Sequence, residues 1–197
     1  MRINTKTIGT LGLAAVVLLI IALALFGTLN AGFSFLNDFI SKLGAKGEPN
    51  ALWFNLIGFI LVGTLLFVFG LLYGMALKDK LLAALLSLFG LGFALTAVPI
   101  DLASSETAIS KAHIAIVSFG LAFWLFGLSR MGYNKQLEKG VRNRANFAAI
   151  LLVTAMIGFV LGLWSMPVTH RLVFGVVFGW TAITSLQLLS QKRESLV

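Results

Sequence analysis

The side chains able to hold a metal or move a proton are few, and each lies where an apolar run begins or ends: Asp101, His113 and His170. One carboxylate and two imidazoles make the ligand set of an open catalytic zinc site, with a water in the remaining position. No local H-E-x-x-H spacing accompanies them, so such a site depends on helix mouths bringing distant positions together. A metal-free version uses Ser41 as nucleophile, His113 as base and Asp101 as orienting acid. Axial haem ligation by the two histidines fits less well, because both sit at helix ends rather than inside a bundle. Each group also has a plain structural reading. Asp101, two residues after Pro99, can close a turn; His113 can be a hydrogen-bonded packing residue. Arg171 can snorkel to the interface or hold an anionic headgroup. Asn37, Arg171 and Trp164 are the expected substrate-binding residues. With no Cys in the chain, thiol nucleophiles, Cys-ligated metals and disulfides are excluded.

These groups must be carried by membrane helices. Of 197 residues, 59% are hydrophobic and 11% charged, against roughly a quarter charged in soluble domains. A span takes about 20 apolar residues, so the chain has material for five or six spans and little else. Six apolar runs are legible, at 8–30, 51–77, 81–98, 112–131, 146–166 and 171–190, which predicts an all-α bundle of six transmembrane helices forming one domain over 1–197. The first run is long for a signal peptide and lacks a small-x-small cleavage site, so it reads as helix 1. The net charge of +8 comes from Lys and Arg in short loops, where they set topology, and nucleic-acid binding is set aside.

Orientation follows from the same residues. With the N-terminus inside, Arg2, Lys6, Lys78, Lys80, Arg130, Lys135, Lys139, Arg142, Arg144, Lys192 and Arg193 are cytoplasmic, and only Lys42, Lys46, Lys111 and Arg171 are outside. Both termini are then cytoplasmic in an inner-membrane, multi-pass protein. The outer connections, 31–50, 99–111 and a short turn around 167–170, gather Asn37, Asp38, Ser41, Lys42, Asp101, Ser104, Ser105, Glu106, His113, His170 and Arg171. Within the first of them Leu36, Phe39, Ile40 and Leu43 follow i, i+3, i+4, i+7 spacing, with Ser34 as N-cap and Gly44 as C′ residue. This predicts a short amphipathic helix roofing an outward polar pocket.

Two further patterns concern packing. Gly70-x-x-x-Gly74, Gly158-x-x-x-Gly162 and Gly175-x-x-x-Gly179 each predict a smooth strip for close helix contact within the bundle. A weak internal repeat pairs helices 2 and 3 with helices 4 and 5, each second helix ending in Pro plus an ionisable group, Pro99 with Asp101 and Pro167 with His170. Trp53 and Trp164 read as interface anchors.

The combination of Ser41-Lys42-Leu43-Gly44 and Pro49 in the first outer loop, Pro99-x-Asp101 after helix 3, His113 opening helix 4 and Arg171 opening helix 6 resembles the six-helix membrane proteins of domain of unknown function 998. That family is similar in outline to the Frag1 and DRAM type, which implies lipid handling. Thr169-His170-Arg171 departs from the Glu-Arg pair that the resemblance implies before the last helix. The serine, aspartate and histidine inventory is also similar to that of alkaline ceramidases, which have seven helices and three zinc-binding histidines where this chain has six and two. The resulting expectation is a lipid-directed hydrolase or transferase, with zinc as candidate cofactor and membrane lipids as partners. The alternative is a non-catalytic lipid or small-molecule binding or transport protein, although the scarcity of polar groups near the midplane of helices 1, 2 and 4 counts against ion transport.

Overall fold

A computed structural model describes residues 4–104 and 106–190; Arg2, Ser105, Lys192 and Arg193, used above, lie outside the described residues. All six apolar runs are helical: α1 Thr5–Leu29, α2 Ala51–Ala76, α3 Lys80–Leu95, α4 Ala108–Tyr133, α5 Lys139–Val160 and α6 Met166–Ser190. Among the described residues there is no strand. Among the described residues five helices are long and apolar enough to cross a membrane. The exception, α3, has 16 residues, a rise of about 24 Å against a hydrocarbon core of about 30 Å. Large apolar side chains such as Ile20, Phe119, Phe126, Ile150 and Val160 are exposed around the bundle, where a soluble protein could not leave them but lipid can cover them. The protein is a multi-pass membrane bundle.

Neighbours in sequence are neighbours in space, and α1 packs on both α2 and α6, which closes the ring. Aromatic side chains fill its centre: Trp180 of α6 stands edge-on to Trp124 of α4 at 5.9 Å and meets Phe69 and Tyr73 of α2, while Phe93 of α3 meets Phe178 of α6 at 5.4 Å.

The three glycine strips do not behave alike. At Gly70 and Gly74 an added Cβ would come within 2.6 Å of Leu86 backbone and 2.3 Å of Ala83 backbone, so the first strip does set the close α2–α3 contact. The second is corrected. Gly158 makes room for the Trp164 ring, and Gly162 lies beyond the helix end with φ +72, a conformation suited to glycine. The third is also corrected, since Gly175 and Gly179 have nothing within 4 Å of an added Cβ.

Helix ends depart from the hydropathy boundaries where polar side chains act on the backbone. The Thr96 hydroxyl donates to Gly92 O and Phe93 O, and α3 stops at Leu95 while the apolar run continues to Val98. Thr107 caps α4 by accepting from Ser110 N, so the helix starts four residues before the expected position and His113 falls in its second turn. Residues 167–170 belong to α6 and are not a turn. Pro167 occupies the first helical turn, where a missing N–H costs nothing, whereas Pro99 follows the end of α3. The two prolines therefore mark opposite kinds of helix end, which removes the parallel that suggested a repeat.

The amphipathic helix over 36–43 does not form. Ser34 caps one turn, its Oγ accepting from Asn37 N at 3.2 Å, but the Asp38 carboxylate folds back to accept from Ser34 N at 2.7 Å and from Lys42 Nζ at 2.9 Å. Phe39 is then extended, with ψ 145, and a separate 3-10 turn runs from Ile40 to Gly44. Local side-chain bonds have outcompeted the helical ladder.

Candidate functional site

The bundle has two dissimilar ends. The long-loop end carries the connections 30–50, 96–107 and 161–165; the terminal end carries Asn4, Ser190 and the short connections 77–79 and 134–138.

At the long-loop end the first connection is tied both to α6 and to the second connection. Arg171, in the second turn of α6, donates to Asp38 O at 2.6 Å, Ser34 O at 3.4 Å, Pro167 O at 2.8 Å and Phe35 O. Its fork geometry suits several carbonyls at once, and it pins the first loop to α6. Lys42 Nζ reaches Gly32 O at 2.7 Å as well as Asp38, and Asn30 Nδ2 donates to Glu48 at 2.7 Å. Burial raises the Asp38 carboxyl, but the Ser34 amide, the Lys42 ammonium and Arg171 together hold it below the usual carboxylate range. Lys46 N donates to Ile100 O at 2.9 Å and joins the first connection to the second.

The residues singled out for chemistry sit within this assembly. Asp101 accepts from Ala103 N at 3.0 Å through its carboxylate, and its own N–H donates to Ser110 Oγ; it closes a turn. His113 is 6% exposed and its Nδ1 pairs with Val98 O at 2.9 Å, tying α4 to the segment that follows α3. Ser41 is buried in the 3-10 turn. The His170 ring lies between Phe39, at 5.1 Å, and Phe174, with a buried Nδ1 that has no partner. Asn37 is exposed and bonds Ser34. Trp164, in the turn after α5, donates to Ala155 O at 3.1 Å and lies over Gly158. Among the described residues no three His, Cys, Asp or Glu side chains come together to hold a metal. Asp101 turns to its own loop, His113 to a carbonyl and His170 to aromatic rings, so the structure does not bring these three side chains together.

The terminal end holds a feature that reading the sequence missed. Arg130, near the end of α4, donates from Nε to both oxygens of Asp79, at 2.9 and 2.7 Å. Asp79 also caps α3, accepting from Leu82 N at 3.0 Å. Burial raises its carboxyl, but the Leu82 and Leu81 amides and Arg130 more than offset that and hold it below the usual range. The preceding residue, Lys78, has φ +56, a left-handed position where glycine is the ordinary occupant and a side chain costs about 1–2 kcal/mol. A cleft of about 340 Å³ lies beside this turn, lined by Lys78, Asp79, Lys80, Arg130, Asn134 and Gln136 over a floor that includes Leu77 and Leu137. One signal was visible in the sequence: Asp79 is a lone carboxylate between two lysines. Its partner, 51 residues away, was not.

Among the described residues the terminal end holds Lys6, Lys78, Lys80, Arg130, Lys135, Lys139, Arg142 and Arg144 against Asp79 and Glu138. The long-loop end holds Lys42, Lys46, Lys111 and Arg171 against Asp38, Glu48, Asp101 and Glu106. One end is balanced and the other carries a net charge of +6.

No curated protein and no solved structure matches the chain. A family model described as "Protein of unknown function (DUF998)" matches residues 13–190, most of the sequence, and the chain belongs to that family.

Proposed function

We propose that this is a non-catalytic lipid-binding protein of the cytoplasmic membrane, with both termini inside, that recruits anionic lipids to its terminal end. The observation that carries this reading is the contrast in charge among the described residues, +6 at the terminal end and zero at the long-loop end. Positive residues stay on the cytoplasmic side, where anionic lipids attract basic segments by about 1 kcal/mol per residue near the surface. The alternative of a lipid hydrolase using Ser41, Asp101 and His113 has less support, because Asp101 and His113 are engaged in holding backbone.

Two experiments test the reading. Since the chain has no Cys, single reporters can be placed at exposed positions of each end, Leu36→Cys and Tyr133→Cys. A membrane-impermeant maleimide should label the first in intact cells and the second only after permeabilisation; the reverse pattern overturns the orientation. Native mass spectrometry of protein released from mixed nanodiscs should show phosphatidylglycerol retained over phosphatidylcholine, with the preference falling as salt rises. Turnover of a lipid substrate that His113→Ala abolishes, or near-stoichiometric zinc lost in His113→Ala or His170→Ala, would instead establish the enzyme.

A further inference from the structure

Arg130 uses only Nε on Asp79. Among the described residues neither Nη takes part in a hydrogen bond, so four of the five guanidinium donors are free. The carboxylate holds the group in place at the edge of the cleft that Arg130 lines, and a guanidinium with its fork unpaired suits a planar, bidentate hold on a phosphate. Lys78 and Lys80 line the same cleft, and neither pairs with a carboxylate among the described residues. Three cations against one carboxylate leave the cleft positive after the Asp79–Arg130 pair is counted, which disfavours a cation as occupant. Asn134 and Gln136 add neutral hydrogen-bonding groups, and the floor at Leu77, Leu81 and Leu137 is apolar. The volume, about 340 Å³, is within the range of small-molecule sites, roughly 300–1,000 Å³. Lys78 also stands at a turn position of its own kind. A cation stands at a backbone position that glycine would occupy with less strain, so its side chain serves something other than the turn.

We infer that the cleft between the α2–α3 and α4–α5 turns is a phosphate-binding site, with Arg130 as the bidentate donor, Lys78 and Lys80 as flanking charges and Asp79 as the residue that positions Arg130. The phosphate group belongs either to an anionic lipid headgroup or to a free phosphate compound. The lipid source rests on the function proposed above; the site itself does not.

The test uses the full chain and the variants Lys78→Gly, Arg130→Lys and, outside the cleft on the same end, Lys139→Gln. Lys78→Gly suits the left-handed turn, so its thermal midpoint should equal or exceed that of the parent and a loss of binding cannot be a loss of fold. In nanodiscs of phosphatidylcholine and phosphatidic acid, the retained ratio of acid to choline lipid should fall about fivefold in Lys78→Gly. It should fall at least as far in Arg130→Lys and little in Lys139→Gln. A parallel calorimetric titration with inorganic phosphate in maltoside micelles distinguishes the sources. Phosphate binding weakened by the cleft variants, without any lipid preference in the parent, keeps the site, assigns it to free phosphates and removes the lipid reading. A lipid preference that all three variants lower equally keeps the lipid reading and overturns the site. Absence of both signals in the parent overturns the site as well.

Discussion

The two ends of this bundle use charge in opposite ways. At the long-loop end Arg171 and Lys42 spend their donors on carbonyls and on Asp38, and four bases meet four acids. At the terminal end, among the described residues, eight bases meet two acids, and the one close ion pair, Asp79 with Arg130, leaves most of the guanidinium unengaged beside a cleft. The richer set of residue types, with both histidines, therefore sits where groups hold backbone together, and the plainer set sits where a ligand has room. Residue type alone is a poor guide to a site when the same groups can satisfy the irregular backbone that loops expose.

The comparison can be broken most directly at Arg171. Arg171→Ala should destabilise the protein by about 3 kcal/mol, because several carbonyls lose a charged donor together. The check is a lower thermal midpoint in detergent and faster proteolysis within residues 31–50. Arg171→Lys should recover only part of this, since an ammonium cannot reproduce the fork. If Arg171→Ala were as stable as the parent, the long-loop end would not be the fastened one.

Gly44→Ala should cost about 1–3 kcal/mol at the same end, because the new Cβ would lie 1.9 Å from Asn55 Oδ1. Gly175→Ala, with open space around it, should stabilise by up to about 1 kcal/mol. Chemical denaturation of the two variants checks the contrast.

His113→Ala should cost about 1 kcal/mol for the bond to Val98 O, and somewhat more for the packing lost. It should leave anionic-lipid retention unchanged, whereas Lys78→Gly should do the reverse. Measuring both quantities on both variants sharpens the division between a fastened end and a binding end.

The smallest expected effect is in pH. Asp38 and Asp79 both have carboxyls held below their ordinary value, so each stabilises the fold above the unfolded pKa and that contribution is lost as pH falls through the lower, folded value. Thermal midpoints should be flat from neutral pH down to about pH 5 and decline below about pH 4. Asp38→Asn and Asp79→Asn should each flatten the decline, one from each end.

Much of this was legible in the residues. Six apolar runs became six helices because a span is specified by composition over about 20 positions, and little tertiary detail is needed to recognise it. The helix ends were less legible, since Thr96, Thr107 and the Ser34–Asp38 turn act through single hydrogen bonds that hydropathy does not register. The gathering of Asn37, Ser41, Asp101, His113, His170 and Arg171 at one end was also readable. Their work was not, because the partners of His113 and Arg171 are carbonyls of Val98, Ser34, Phe35 and Asp38, and any residue supplies a carbonyl.

By itself, then, the sequence determined a membrane-embedded helical chain, its apolar segments and the unequal charge of its ends, all of which are sums over many residues. Only the tertiary structure decided that Asp79 meets Arg130, that Gly158 serves Trp164 rather than a neighbouring helix, and that the histidines face carbonyls and rings. Those facts depend on which single atoms come within about 3 Å of one another, and helix rotation and loop path set such distances without leaving a pattern along the chain.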